Sequence, residues 1–179
     1  DPREAPVNIE IILWPWGAYL GEEAVKIKTS SFIRIHPKSM KADMKITGHY
    51  VNSILASLEA KKQGYNEALL LDYEGNIAEG PGENIFMIKN KILKTPMLKG
   101  QILTGITRDS VIKIAKYLGY KVEEIDLKLK DLKNADELFF TGTAAEVHSI
   151  KQIDETIINN GIVGPITKKL KQEFTKITK

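Results

Sequence analysis

The feature that most constrains the fold is an alternation of short apolar strands and helices that one tight hairpin interrupts. Residues 84–88 and 92–94 are mostly apolar runs on either side of Asn90-Lys91, the pattern of two antiparallel strands joined by a short turn. Residues 107–118 follow with apolar side chains at helical spacing and end at Gly119. Because alternating strands and helices favour parallel pairing whereas a hairpin is antiparallel, the sequence predicts a mixed α/β fold.

Further segments with strand or helix patterns complete the alternation. Apolar or alternating runs predict strands at residues 9–14, 24–29, 67–72, 122–127 and 138–141. Helical spacing or end signals predict helices at residues 48–62, 129–134 and 165–177. In the first of these helices, Val51, Ile54, Leu55 and Leu58 fall on one face, and Gly64 is a plausible end.

The composition fits one globular domain with an ordinary surface. The chain has 179 residues and is 42% hydrophobic, which is enough for a sizeable core. The net charge of +3 comes from lysines spread along the chain, and its three arginines do not cluster with aromatic residues. No apolar run reaches the about 20 residues needed to cross a bilayer. The composition therefore argues against nucleic-acid and membrane partners.

The chain contains no cysteine, which excludes disulfides and thiolate metal sites. His49 and His148 each lack a second histidine at ligand spacing, so no metal site is expected. The absence of cysteine fits a reducing compartment, and a cytoplasmic location is the corresponding expectation.

Residues 79–86 read Glu-Gly-Pro-Gly-Glu-Asn-Ile-Phe and carry the first candidate site. The run places two carboxylates, Glu79 and Glu83, among glycines that allow the backbone to approach a ligand closely. The apolar strand behind them would hold the loop rigidly. A carboxylate in such a loop can contact a ring nitrogen or a cation at short range.

Lys45 is the second candidate, since it stands between the apolar residues Met44 and Ile46 just before a predicted helix. A lysine in such surroundings is more easily desolvated, and a neutral amine can attack a carbonyl carbon. The alternative is a surface lysine at a strand end whose amine reaches into solvent.

Two further segments combine small residues with hydroxyls. Residues 103–109 place a Gly turn at a helix start, where free N–H groups could seat a phosphate. The alternative is an ordinary helix start capped by Thr104 or Thr107, with Arg108 paired to a carboxylate. Residues 141–146 follow a buried strand and could hold an anion on successive N–H groups. The alternative there is a tight turn that needs small residues for packing.

These four segments, in their order along the chain, resemble the class IV pyridoxal-phosphate-dependent aminotransferases, and most closely those of branched-chain amino acids. The resemblance runs from about Ile12 to the C-terminus and includes the run Trp16-Gly17-Ala18-Tyr19-Leu20. It implies the C-terminal domain of the D-amino acid aminotransferase-like architecture (fold type IV), a mixed sheet or barrel with surrounding helices.

The resemblance assigns a role to each matching position. Lys45 matches the lysine that forms the aldimine with pyridoxal phosphate, Tyr50 the tyrosine that binds its phenolic oxygen, and Glu79 the carboxylate at its pyridine nitrogen. Leu103 matches the residue packed on the ring. The phosphate seat matches Gly105, Ile106, Thr107 and the hydroxyl of Thr143. The backbone of Thr143, Ala144 and Ala145 matches the site of the substrate α-carboxylate. Glu83 and Asn84 are expected to orient the loop.

The implied activity is transamination of leucine, isoleucine and valine with 2-oxoglutarate. The implied partners are amino acid and 2-oxo acid substrates and a second copy of the chain, in a homodimer or a higher homo-oligomer. Three alternatives stay open: a D-amino acid aminotransferase, an aminodeoxychorismate lyase, and a catalytically inert folded domain. These enzymes also have a smaller N-terminal domain of roughly a hundred or more residues. Residues 1–7 are therefore expected to be interdomain linker, and residues 8–179 the cofactor-binding domain of a C-terminal fragment.

The sequence departs from the family pattern in four places. His49 stands where Asn is usual, Pro81 replaces a small residue, and His148-Ser149 replaces Thr-Pro. Residues 98–101 lack the usual serines. None of these changes removes a reacting group, so they bear on substrate preference and not on the class.

Overall fold

One mixed sheet of nine strands organises the fold in the computed structural model, which describes residues 1–178; Lys179, the last residue of the expected domain, lies outside the described residues. The strands are β1 (Val25–Thr29), β2 (Glu67–Leu71), β3 (Ile77–Glu79), β4 (Asn84–Lys89), β5 (Ile92–Thr95), β6 (Val122–Glu124), β7 (Glu137–Gly142), β8 (Glu146–Ile153) and β9 (Thr156–Ile157). Their order is β3-β2-β1-β8-β7-β4-β5-β6, and β9 pairs with β8. β1 pairs in parallel with both β2 and β8, and β5 pairs in parallel with β6. The remaining pairs are antiparallel. The predicted mixed α/β class is therefore confirmed.

Within residues 1–178, four α-helices surround the sheet: α1 (Tyr50–Lys62), α2 (Ile106–Tyr117), α3 (Leu129–Lys133) and α4 (Pro165–Thr178). Successive residues of a strand point to opposite faces, so β4 and β7 serve two cores. Ile85 and Met87 join one core, which includes Leu132 of α3. Phe86 joins the other, beneath α2 and α4, where it stacks on Phe139 of β7 with ring centroids 5.0 Å apart.

The predicted hairpin is confirmed as β4 and β5. Asn90 and Lys91 form its turn and both have positive φ, at 51° and 63°. Such φ values belong to the two-residue turns whose twist matches that of the flanking strands. The strands predicted at 24–29, 67–72 and 138–141 are also present, and so are the predicted helices. Their ends are shifted by a few residues.

Two strand predictions need correction. Residues 9–14 form no strand, and Ile9, Ile11 and Leu13 are almost fully exposed. An apolar run becomes a strand only where a neighbouring strand supplies hydrogen-bond partners, and the described residues supply none here. The strand predicted at 122–127 ends at Glu124, after which Ile125 N–H still donates to Thr95 O at 3.0 Å.

The apolar face of α1 points away from the core. Val51, Ile54, Leu55 and Leu58 are 44–61% exposed. The buried side of the helix is made of Ser53, Ala56 and Ala60 instead. Ala56 and Ala60 pack on Ala68 and Leu70 of β2. Small residues let the helix lie close to the sheet, and that close approach turns the larger apolar side chains outward.

This packing predicts opposite tolerances on the two faces of α1. Ala56→Leu should lower the free energy of unfolding by about 1–3 kcal/mol, because extra methylenes have no room against β2. Leu58→Ala should change it by less than about 1 kcal/mol, because Leu58 lies on the exposed face. Urea unfolding followed by circular dichroism measures both. Equal costs for the two substitutions would contradict the assigned face.

Candidate active site

The loop between β3 and β4 is a tight turn that sets two carboxylates beside each other. Gly80 N–H donates to Glu83 O at 2.7 Å, and Gly82 N–H donates to the Glu83 side chain at 3.1 Å. A Cβ at Gly80 would lie 2.7 Å from Glu83 Oε2 and 3.0 Å from the Phe140 ring. The glycine is therefore needed for space at this position. Glu79 ends β3 and Asn84 begins β4, so both residues have rigid support.

Glu79 is buried and each of its oxygens has donors. Arg34 Nε donates to Oε1 at 2.6 Å, Asn84 Nδ2 donates to Oε2 at 3.1 Å, and Leu103 N–H donates to Oε2 at 3.2 Å. Burial raises the pKa of Glu79 to about 7, although Arg34 opposes that rise. The Glu79 carboxyl group therefore gains and loses its proton close to neutral pH.

Arg34 was not identified from the sequence. It is buried, and its Nη2 donates to Ala42 O at 3.2 Å, while Nη1 has no hydrogen-bond partner among the described residues. The residue type is the one indication in the sequence: an arginine in a lysine-rich chain suggests a buried ion pair, because arginine suits such a pair better than lysine does.

Lys45 and Tyr50 line the same pocket as Glu79 and Leu103. Lys45 precedes a short 3-10 turn, Thr47–His49, that leads into α1. His49 Nδ1 lies 3.1 Å from Met44 O, so the buried imidazole bridges the two sides of the Lys45 segment. The expected desolvation by Met44 and Ile46 is wrong, because both residues and Lys45 itself are exposed.

A second pocket adjoins the first and contains the start of α2. It is lined by Gly105, Ile106, Thr107 and Thr143, together with Lys45, Gly82 and Leu103, which line both pockets. The two pockets are therefore one cleft around Lys45. No side chain among the described residues caps α2, so Thr104 and Thr107 do not have the capping role that was the alternative. The first-turn N–H groups of a helix lack intrahelical partners and favour an anion.

Arg108, in the first turn of α2, connects the start of this helix to residues outside it. It is buried, and its Nη2 donates to Pro96 O at 2.9 Å and to Glu124 Oε2 at 2.7 Å. Its pairing with a carboxylate follows the alternative weighed from the sequence, with the partner on β6 and not on the helix.

The loop after β7 packs against the glycine loop. A Cβ at Gly142 would lie 3.2 Å from Gly82 O, which explains a small residue there. Thr143 is exposed in the cleft, whereas Ala144 and Ala145 line a neighbouring depression with Trp16 and Tyr19. Burial, and to a smaller extent the charge of the nearby Glu83, raises the pKa of Tyr19 to about 12.

Glu83 is the second buried carboxyl group of the loop. Burial and the charge of Glu67 raise its pKa to about 8, and its Oε1 has no hydrogen-bond partner among the described residues. Its donor from Gly82 is within the loop itself, which agrees with an orienting role.

In residues 1–178 no group of three or more histidine, aspartate and glutamate side chains is arranged to hold a metal ion. No helix in that range has both the length and the apolar character that a membrane span requires.

Comparison with known proteins assigns the chain to a family. The family described as Amino-transferase class IV matches residues 1–153, and the chain belongs to it. The putative branched-chain-amino-acid aminotransferase of Methanocaldococcus jannaschii is 47% identical over 178 residues, which cover 99% of this chain and 62% of that protein. The branched-chain-amino-acid aminotransferase of Escherichia coli K12 is 41% identical over 177 residues, which cover 97% and 57%.

Solved structures agree. The branched-chain amino acid aminotransferase of Escherichia coli superposes with a TM-score of 0.89 at 42% identity, covering 92% of this chain and 55% of that one. The branched-chain amino acid aminotransferase of Thermobaculum terrenum in its PLP-form gives 0.86 at 38% identity, covering 91% and 54%. The fold is therefore that of class IV aminotransferases, and the chain spans little more than half the length of the relatives it matches.

The buried Glu83 predicts a pH-dependent stability. Its pKa is about 8 in the folded protein against an ordinary value of 4.5, so the folded state binds this proton more tightly than the unfolded state. The ionisation of Glu83 therefore does not lower the free energy of unfolding below pH 4.5. It lowers that free energy progressively up to pH 8 and by a constant amount above it. Glu83→Gln stays neutral and keeps an acceptor for Gly82 N–H. Its stability advantage should grow by about 2–4 kcal/mol between about pH 5 and pH 9.

Thermal or urea unfolding at about pH 5, 7 and 9 measures that advantage. Glu10→Gln, on the exposed N-terminal segment, is the matched control and should show no growing difference. A Glu83→Gln advantage that is constant across this range would show that Glu83 is ionised in the folded protein.

Proposed function

We propose that the protein transaminates branched-chain L-amino acids (leucine, isoleucine and valine) with 2-oxoglutarate, using pyridoxal 5′-phosphate. The observation that carries the proposal is the single cleft in which exposed Lys45 meets the buried, Arg34-paired Glu79 and the start of α2. The names of the relatives support the substrate class, since those reported above are branched-chain-amino-acid aminotransferases.

The residues of the cleft fit this cofactor. Pyridoxal phosphate presents a ring nitrogen, a phenolic oxygen, a reactive carbonyl carbon and a phosphate. The cleft offers a carboxyl group, a tyrosine hydroxyl and a primary amine in one pocket, from Glu79, Tyr50 and Lys45. It offers a helix start and a hydroxyl in the adjoining pocket, from Gly105, Ile106, Thr107 and Thr143. Arg34 also lines the first pocket, and its buried Nη1 has no hydrogen-bond partner among the described residues.

Pyridoxal phosphate, when bound, supplies an electron sink for the negative charge that develops at the substrate Cα. In this proposal Glu79 holds the proton at the ring nitrogen, and its donors from Arg34, Asn84 and Leu103 keep its oxygens in place. Lys45 Nζ would accept the proton from the substrate Cα and deliver it to the carbon two bonds away, a 1,3-shift. The Tyr50 hydroxyl donates to the phenolic oxygen, and Leu103 packs on the ring.

The remaining assigned residues bind the two anionic groups. The N–H groups at Gly105, Ile106 and Thr107, with the Thr143 hydroxyl, hold the phosphate. The backbone of Thr143, Ala144 and Ala145 holds the substrate α-carboxylate. Thr143 and Lys45 line the same pocket, so a carboxylate held at Thr143 keeps the substrate Cα near the amine.

The proposal extends to organisation and assembly. Residues 8–179 are the cofactor-binding domain and residues 1–7 a linker, and the working enzyme is a homodimer or a higher homo-oligomer in the cytoplasm. The exposed apolar side of α1, formed by Val51, Ile54, Leu55 and Leu58, supports a subunit contact, because contiguous apolar surface of this kind marks interaction sites.

Borohydride reduction tests the role of Lys45. Incubation with pyridoxal phosphate and reduction should place one label on Lys45, because its amine is exposed in the cleft. Peptide mapping by mass spectrometry locates the label. Lys45→Ala should abolish it, whereas Lys38→Ala, an exposed lysine outside the cleft, should leave it unchanged. Labels scattered equally over many lysines would contradict the assignment.

Substrate choice is tested by comparing turnover. We expect 2-oxoglutarate-dependent turnover of L-valine and L-leucine at least about 100-fold above that of D-alanine, a discrimination of about 3 kcal/mol. A coupled assay for glutamate measures it, with aminodeoxychorismate as a third substrate. Preference for D-alanine or aminodeoxychorismate would favour the two alternative enzymes of this fold, and a cofactor-loaded protein without any turnover would favour an inert domain.

A further inference from the structure

We propose that Asn84 is a positioning residue that ties the Glu79 carboxylate to the loop at residues 103–105, and that Gly105 is required because Asn84 occupies the space of its side chain. The inference rests on the proposed function for its meaning, because the tie would join the ring-nitrogen end of the cofactor site to its phosphate end. The hydrogen bonds that support the inference join three residues, Glu79, Asn84 and Leu103.

The Asn84 amide closes a ring of hydrogen bonds. Its Nδ2 donates to Glu79 Oε2 at 3.1 Å and to Leu103 O at 2.9 Å, which uses both of its hydrogens. Leu103 N–H donates back to Glu79 at 3.2 Å. Both Glu79 and Asn84 are buried, and hydrogen bonds in such low-dielectric surroundings are stronger and costlier to lose.

An amide is the group that this position needs. Arg34 donates to Oε1 of Glu79 and Leu103 N–H is shared between both oxygens, whereas Asn84 is a side-chain donor to Oε2. Both neighbours of Asn84 Nδ2 are acceptors, Glu79 Oε2 and Leu103 O. A carboxylate at position 84 would place oxygens against both of them and add a like charge beside Glu79.

Gly105 is required by space and not by backbone conformation. Its φ of −73° and ψ of 129° are accessible to any residue. A Cβ there, however, would overlap Asn84 Oδ1 and lie 3.3 Å from Arg108 Cβ. Since Gly105 immediately precedes α2, any side chain would push apart Asn84 and the proposed phosphate seat. The glycine and the asparagine therefore act as a pair.

A double-mutant cycle in the cofactor-free protein tests the pair. Gly105→Ala should lower Tm by about 3–10 °C, because the added methyl group displaces Asn84. In the Asn84→Ala background, where Oδ1 is gone, the same substitution should cost less than half of that shift. Asn134→Ala, at an exposed asparagine whose side chain donates to Lys130 O in its own helix turn, is the control and should leave the Gly105→Ala cost unchanged.

Cofactor binding tests the positioning role. Asn84→Ala and Asn84→Asp should each weaken pyridoxal phosphate binding about 5- to 100-fold, the loss expected for a broken buried hydrogen bond. They should also shift the pH at which the absorbance of the bound cofactor changes, because Glu79 loses its orientation. Ala56→Leu, which destabilises the fold away from the cleft, should leave that pH unchanged.

The outcomes separate the inference from the proposed function. Additive Tm losses in the cycle, or an unshifted pH profile in both Asn84 variants that bind cofactor, would overturn the inference. A coupled cycle in a protein whose unsubstituted form binds no pyridoxal phosphate would uphold the tie between Asn84 and Gly105 and overturn the proposed function instead.

Discussion

The buried pair of Arg34 and Glu79 is the interaction on which the rest of the site depends. A carboxylate removed from water is costly unless donors compensate it, and Arg34 supplies the charge while the Asn84 amide and the Leu103 N–H supply the remaining hydrogen bonds. Burial still dominates, since the pKa of Glu79 rises to about 7. The pair therefore holds the group near the point where it gains or loses a proton at neutral pH.

The same arginine also fixes the segment that carries Lys45. Its backbone N–H donates to Leu71 O of β2 at 2.7 Å, and its side chain reaches Ala42 O, three residues before Lys45. One residue thereby links β2, the carboxyl group at the end of β3 and the lysine segment. Replacing it would remove the cation beside the buried Glu79 and, in the same step, the side-chain hydrogen bond to the Lys45 segment. Such an arginine is expected to be far more sensitive than a surface ion pair.

The parts predicted best from the sequence are those fixed by local chemistry. The turn at Asn90-Lys91 and the helical spacing of α2 depend on neighbours in the sequence, and both were predicted close to their observed ends. The candidate site residues came from the order of four motifs, and the structure places Lys45, Tyr50, Glu79 and Thr107 around one cleft, while their roles stay predictions. Arg34, the exposed 9–14 segment and the orientation of α1 depend on distant residues. A pattern of apolar residues gives no information on which neighbour will cover them.

The orientation of α1 connects the fold to the chemistry proposed for it. Ile54 and Leu58 of its exposed face border a depression that also includes Tyr50 and Gly82, so the apolar surface is continuous with the cleft. A subunit that covered α1, as the proposed assembly requires, would also reduce solvent access beside Tyr50. Excluding water there would strengthen each electrostatic contact within the cleft. The small residues that hold α1 against β2 therefore have two effects: they close the core on one side, and they turn apolar side chains towards the surface where the site needs cover.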